Sequence, residues 1–337
     1  MRAVGYLKSL PIEDPASLQD VDIPAPVPGK RDLVVRVEAI SVNPVDAKMR
    51  KRAQPTGTAP AILGWDAVGT VHQIGPDVTL FKPGDKVWYA GSIARPGANS
   101  ELHAVDERIV SLRPTSLSIE QAAALPLTAI TAYEMLFDRL GLVPGHMAVG
   151  GNILIVGGAG GVGSIAIQLV RALTGRTVIA TASRPETQAW VRELGAHVVI
   201  DHAKPLSQEL RRAGIASADL IFSTNQSDRH WPEIVETLTP QGRVGLIDDP
   251  EPIDVRMLKR KSGALVWELM FTRAIFETPD MIAQHKLLAE VARLVDAGKL
   301  RTTLSEVLGP INAANLRRAH ALIESNTTKG KLVLAGW

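Results

Sequence analysis

Residues 152–183 read NILIVGGAGGVGSIAIQLVRALTGRTVIATAS, and this stretch decides how the rest of the chain is read. An apolar run at 153–156 enters a glycine-rich segment, Gly157 to Gly163. Ile165, Ala166, Leu169, Val170 and Leu173 then recur at helical spacing up to Gly175, and a second β-rich run follows from Thr177 to Thr181. Strand, glycine turn, helix and strand make one βαβ unit. Gly158, Gly160 and Gly163 fit G-x-G-x-x-G in register, so backbone amides of Gly160, Gly161, Val162 and Gly163 can meet a pyrophosphate at a helix N-terminus. A glycine-rich turn can also serve packing alone; its place between strand and helix favours a dinucleotide.

The end of the second strand points to the form of that dinucleotide. An NAD-binding unit usually carries Asp or Glu there, about 20 residues on, for the ribose 2′-OH. Here Ser183 and Arg184 stand instead, a hydroxyl and a cation that suit a 2′-phosphate, and the expected cofactor is NADPH. The other reading of Arg184 is a solvated arginine ahead of the next helix.

Composition sets outer bounds. At 337 residues the chain has room for two domains, and 45% hydrophobic with 21% charged residues is ordinary for a globular protein. A formal net charge of +2 gives no sign of a nucleic-acid or membrane surface. There is no cysteine, so disulfides, thiolate metal sites and Cys nucleophiles are excluded. Without an apolar run of spanning length or a leader-like N-terminus, the expected location is cytoplasmic.

Working outward, residues 1–121 show short strands broken by Gly/Pro turns, with a proline-rich surface arm at 11–28, and suggest a barrel-like domain. Ser118 and Gln121 are placed as N-cap and N3 of a helix start. Beyond the βαβ unit, strands at 198–200, 218–222 and 243–247 alternate with helices at 187–194, 206–213 and 231–238. That alternation implies a doubly wound parallel sheet of Rossmann type. A helix at 281–296, another at 313–324 and a strand at 331–335 close the chain. The expected division is 1–125 with 275–337 as a discontinuous first domain, and 126–274 as the nucleotide-binding domain.

Several ordered motifs resemble the medium-chain dehydrogenase/reductase superfamily over nearly the whole chain. They are Ser41-Val42-Asn43-Pro44-Val45-Asp46, Gly64-Trp65-Asp66-Ala67-Val68-Gly69, Phe81-Lys82-Pro83-Gly84-Asp85-Lys86-Val87, Gln121 to Pro126, Thr131-Ala132-Tyr133, the glycine turn, and Gly330-Lys331-Leu332-Val333-Leu334. The chain is similar to the zinc-free quinone oxidoreductase branch, including members labelled zinc-type alcohol dehydrogenase-like, and residues 267–273 (WELMFTR) look like a feature of that subgroup. The resemblance implies that the first domain is GroES-like. Zinc alcohol dehydrogenases place Cys where this chain has Asn43, His and Glu where it has Trp65 and Asp66, and a further Cys near Leu127. Catalytic zinc needs about three His, Cys or carboxylate ligands, so no metal is expected.

Without a Lewis acid, the expected chemistry is hydride addition to a quinone or α,β-unsaturated carbonyl, in a cleft where the two domains meet. The catalytic candidates are Asn43, Lys48 and Tyr89. Asn43 stands either near the nicotinamide or merely as a turn former before Pro44. Lys48 occupies a position where quinone reductases of this type often carry Tyr; it is a proton donor or a solvated lysine. Tyr89 lines the cleft or packs in the core. The resemblance also places Thr131 by the nicotinamide and His202 at a position that often carries a phosphate-contacting Tyr, the other reading of His202 being a surface histidine. Phe271 either closes over the nicotinamide or forms a subunit interface, and Lys331, beside the closing strand, is a further candidate. Asn225, Leu246 and Asp248 follow strand ends, where open α/β sheets bind ligands. A homodimer is expected, and the competing readings are a zinc-dependent alcohol dehydrogenase and a non-catalytic NADPH-binding protein.

Overall fold

The apolar run after Gly151 folds as the strand Asn152–Val156, at the centre of a parallel six-stranded sheet. Its order is Val198–Ile200, Thr177–Thr181, Asn152–Val156, Ala218–Ser223, Leu238–Leu246, Ala264–Trp267. Ile153, Leu154, Ile155 and Val156 are all buried, which is why the strand reads as continuous hydrophobicity: a parallel strand is covered on both faces. Leu154, Val156, Ile179, Ile221 and Val244 share one core with Trp231 and Ile234 of the helix Ser227–Thr237. In this computed structural model, which describes residues 1–52, 55, 57–145 and 150–337, that sheet belongs to a compact unit formed by Thr128–Met270.

Met1–Leu127 and Phe271–Trp337 form the other unit. Its larger sheet runs Leu304–Val307, Lys331–Ala335, Asp32–Val42, Ala67–Ile74, Lys86–Tyr89, Val110–Leu112, with Leu102–Asp106 also pairing with Asp32–Val42. The closing strand Lys331–Ala335 pairs antiparallel with Asp32–Val42, Leu332 opposite Val42. This register brings Lys331 to the end of the long strand, where the helix Pro44–Arg52 begins. The expected capping box at Ser118 and Gln121 is present. Among the described residues no helix is long and apolar enough to cross a membrane.

Three local differences have physical causes. The helix expected from 231 starts at Ser227, because Asp248 accepts from the Ser227 N–H and hydroxyl and holds a first turn that Pro232 had obscured. In the proline-rich arm, Gln19–Asp22 is a strand paired with Arg2–Tyr6, anchored by the buried Leu18. Ala264–Trp267, not expected as a strand, forms the sheet edge and carries a half-exposed Trp267.

The close pass of helix on strand turns on Gly163. A Cβ there would lie 2.4 Å from the Gly157 carbonyl oxygen and 2.7 Å from the Gly158 Cα, both backbone atoms. Gly163→Ala is therefore expected to cost about 1–3 kcal/mol of stability, read as a lower denaturation midpoint. Unchanged stability would mean that the turn relaxes freely.

Candidate active site

The glycine turn is built by two different constraints. Gly157 has φ +80°, and a Cβ there would strike Thr224 Oγ1 at 2.3 Å and Asn225 Oδ1 at 2.7 Å. Like Gly163, it is required by the fold itself. Gly160, the N-cap of the helix Gly161–Leu173, is different: its nearest neighbour would be the Gly157 carbonyl oxygen at 3.6 Å, an ordinary contact. Packing does not demand glycine at 160, and its bareness leaves the first amides of a helix open to an anion. The turn is fastened to the second strand: the Gly157 N–H donates to Thr181 Oγ1 (2.9 Å) and the Gly158 N–H to the Thr181 carbonyl (3.1 Å). Thr181 was not singled out from sequence; its place as last residue of the strand was the available signal.

Several residues expected around a dinucleotide come together here. Asn225 lies against Gly157. His202 Nδ1 sits 2.9 Å from Thr181 Oγ1. Ser183 is exposed just past the second strand, and Arg184 is the N-cap of the helix Pro185–Glu193, paired with Glu186 at 3.1 Å. Two expectations are corrected. The Leu246 side chain is fully buried in the sheet core, so only its backbone could meet a ligand. Asp248 is spent on the helix it caps, accepting from Ser227 at 2.9 and 2.6 Å. Thr131 is buried in the helix Pro126–Tyr133.

The other unit holds a buried charged network. Lys331 Nζ donates to the Val42 carbonyl (2.7 Å) and to Asn43 Oδ1 (2.6 Å) and lies 3.5 Å from Asp66 Oδ2. Asp66 also accepts from Ser41 Oγ (2.5 Å), Asn43 Nδ2 (3.2 Å) and the Leu127 N–H (3.2 Å). Asp46 accepts from the N–H groups of Asn43 (2.7 Å) and Gly64 (3.0 Å). Burial raises Asp66 and lowers Lys331, each opposed by the charge of the other. Burial also pushes Asp46 up to about 7, against its two amide donors and Lys331.

This arrangement corrects two sequence expectations. Asn43 is turned inward, its carbonyl on Lys331 and its amide on Asp66, so it orients the 41–46 segment rather than offering a donor to a ligand. Lys331 belongs to the same buried cluster and has no exposed ammonium for a cofactor. Tyr89 is also a core residue: it is fully buried, stacks on His103 and shares a 3.0 Å hydrogen bond with its Nδ1, and burial holds its phenol well above the ordinary tyrosine range. Lys48 stays half-buried on the helix Pro44–Arg52, whose first turn the network pins. Phe271 is buried edge-on against Trp65, ring centres 6.4 Å apart, immediately beside Asp66.

Comparison with known proteins covers both units. The zinc-binding dehydrogenase family matches residues 194–334, and the alcohol dehydrogenase GroES-like domain matches residues 29–114. The chain is 40% identical over 336 residues to a zinc-type alcohol dehydrogenase-like protein of Staphylococcus aureus, covering 99% of each chain. A crystal structure of a protein from Rhizobium etli is 56% identical, with a TM-score of 0.95 over 100% of this chain and 98% of that one. A quinone oxidoreductase from Pseudomonas syringae is 26% identical, with a TM-score of 0.82 over 99% of each.

Two outcomes test the network. Lys331→Met leaves the buried Asp66 carboxylate without its cation and is expected to cost about 3–5 kcal/mol of stability; adding Asp66→Asn should recover a large part, measured by denaturant unfolding. Asp46 has its carboxyl raised from 3.8 to about 7 on folding, so the folded state holds the extra proton between those values. Its contribution is fully present below about pH 4 and is lost as pH rises through about 7. Asp46→Asn should flatten the stability profile over that window, and an unaltered profile would refute the assignment.

Proposed function

This chain belongs to the medium-chain dehydrogenase/reductase superfamily, in its quinone oxidoreductase-like branch, and on that premise we propose that it reduces quinones or α,β-unsaturated carbonyls with NADPH and without a metal ion. The observation that carries the reading is the bareness of Gly160 between two glycines that the fold requires. A position that packing leaves indifferent, at a helix start, suits close approach of a pyrophosphate. Ser183 and Arg184 support the phosphorylated form, since no carboxylate occupies the ribose position at the end of the strand.

Zinc enters through the names of the relatives, and the residues present do not fit it. The positions that resemble zinc-ligand positions carry Asn43, Trp65 and Asp66. Asn43 and Asp66 are already engaged by the Lys331 ammonium, a cation that repels a second one. Among the described residues no group of three or more His, Cys, Asp or Glu is arranged to hold a metal. Asp66 alone is too few ligands for catalytic zinc.

When bound, NADPH would supply the hydride for a conjugated carbon of the substrate. The chain's own part is to bind, orient and protonate. The amides of Gly160 to Gly163 hold the pyrophosphate, with Asn225 and His202 beside the turn. The Asn43–Asp66–Lys331 network fixes the start of the helix that carries Lys48, which we assign as proton donor to the substrate oxygen. Trp65 and Phe271 supply an apolar wall that excludes water. We extend the proposal to a homodimer through the edge strand Ala264–Trp267, which pairs on one side only with Leu238–Leu246 and leaves Trp267 and Leu269 half-exposed.

Purified protein should oxidise NADPH with quinones or enals in the presence of a chelator. Stoichiometric zinc with chelator-sensitive alcohol oxidation would overturn the proposal, as would NADPH binding without turnover across a broad panel. Arg184→Glu should weaken NADPH at least about 10-fold more than NADH, because a charged hydrogen bond is replaced by like-charge repulsion. Equal losses would remove Arg184 from the phosphate site.

A further inference from the structure

Beside the glycine turn, His230 and Arg229 have no role in the account above. His230, in the first turns of the helix Ser227–Thr237, packs edge-on against His202 with ring centres 6.1 Å apart. Thr181 Oγ1 accepts from the Gly157 N–H and shares a 2.9 Å hydrogen bond with His202 Nδ1. One hydroxyl thus links the phosphate turn to the histidine pair.

Charges of both signs gather here, and the guanidinium of Arg229 is the one without an ion-pair partner among the described residues. Arg184 and Arg229 both bear electrostatically on His202, and Arg229 and His202 on His230; with burial as the largest cause, both imidazoles are held below their ordinary range. The acids facing them are Asp201 and Asp228. Asp201 is engaged by the Ala203 N–H and lies 3.6 Å from Lys204. Arg184 already has Glu186 at 3.1 Å, whereas Arg229 is exposed and makes no ion pair among the described residues. The helix that presents Arg229 is fixed at its start, since Ser227 is held by Asp248 and by Ser223 Oγ at 2.8 Å.

We propose that Arg229, backed by His230, completes a 2′-phosphate subsite with Ser183, Arg184 and His202, so that selection of the phosphorylated dinucleotide is shared between the end of the second strand and the helix Ser227–Thr237. The proposal rests on the NADPH reading above and adds residues that the dinucleotide motif does not contain. An anion bound here would give the exposed Arg229 guanidinium a counter-charge.

The test is equilibrium binding of adenosine 2′,5′-bisphosphate and adenosine 5′-monophosphate to the full chain, at fixed pH and ionic strength. Wild type should prefer the bisphosphate. Arg229→Gln, an exposed change, should cut that preference about 10-fold while leaving the monophosphate unaffected; His230→Asn should cut it several-fold in the same way. Full preference retained in Arg229→Gln overturns the subsite while leaving NADPH in place. A wild type without preference overturns the NADPH reading itself, so the two failures are distinguishable.

Discussion

One ammonium group, the Nζ of Lys331, organises the unit formed by Met1–Leu127 and Phe271–Trp337. It enters on the closing strand and reaches the Val42 carbonyl, Asn43 Oδ1 and Asp66, joining the end of the chain to the turn before the helix Pro44–Arg52. Buried charges are costly unless every lone pair and hydrogen is used. Here Ser41, Asn43 and the Leu127 amide complete Asp66, and two backbone amides complete Asp46. The same bonds that make the charges tolerable fix the backbone from Ser41 to Asp46, and with it the helix that carries Lys48.

The other unit obeys a different rule. Its cradle is made by missing side chains, and only some are missing for the sake of the fold. Gly157 and Gly163 are forced by backbone and side-chain neighbours, while Gly160 is not. Separating the two kinds of glycine turns a weak sequence pattern into an argument about a ligand. A parallel argument separates family name from site chemistry: relatives carry zinc in their names, whereas Asn43 and Asp66 here are engaged by Lys331. Fold is shared across a family, but chemistry follows the donor set.

Much of the architecture was legible in sequence because it rests on local periodicity. The helix Gly161–Leu173, the helix Ala313–Glu324 and the strand Lys331–Ala335 follow from apolar spacing and their bounding residues. What escaped depends on partners far away along the chain. Asn43 reads as a donor near a ligand until Lys331, 288 residues on, claims its carbonyl. Tyr89, at a strand end, reads equally as cleft or core until His103 is found stacked on it. Asp248 reads as a strand-end ligand until it is found capping the helix at Ser227. Short polar side chains near strand ends serve caps and ligands alike, so position alone does not choose between them.

The split make-up of the first unit also sets an order of assembly during translation. Thr128–Met270 carries all six strands of its sheet in one uninterrupted stretch and is synthesised entire before Lys331 exists. Domains fold as units as they emerge from the ribosome. The Rossmann unit can therefore close first, and the bonds of Lys331 to Val42, Asn43 and Asp66 can form only once the last strand has been made.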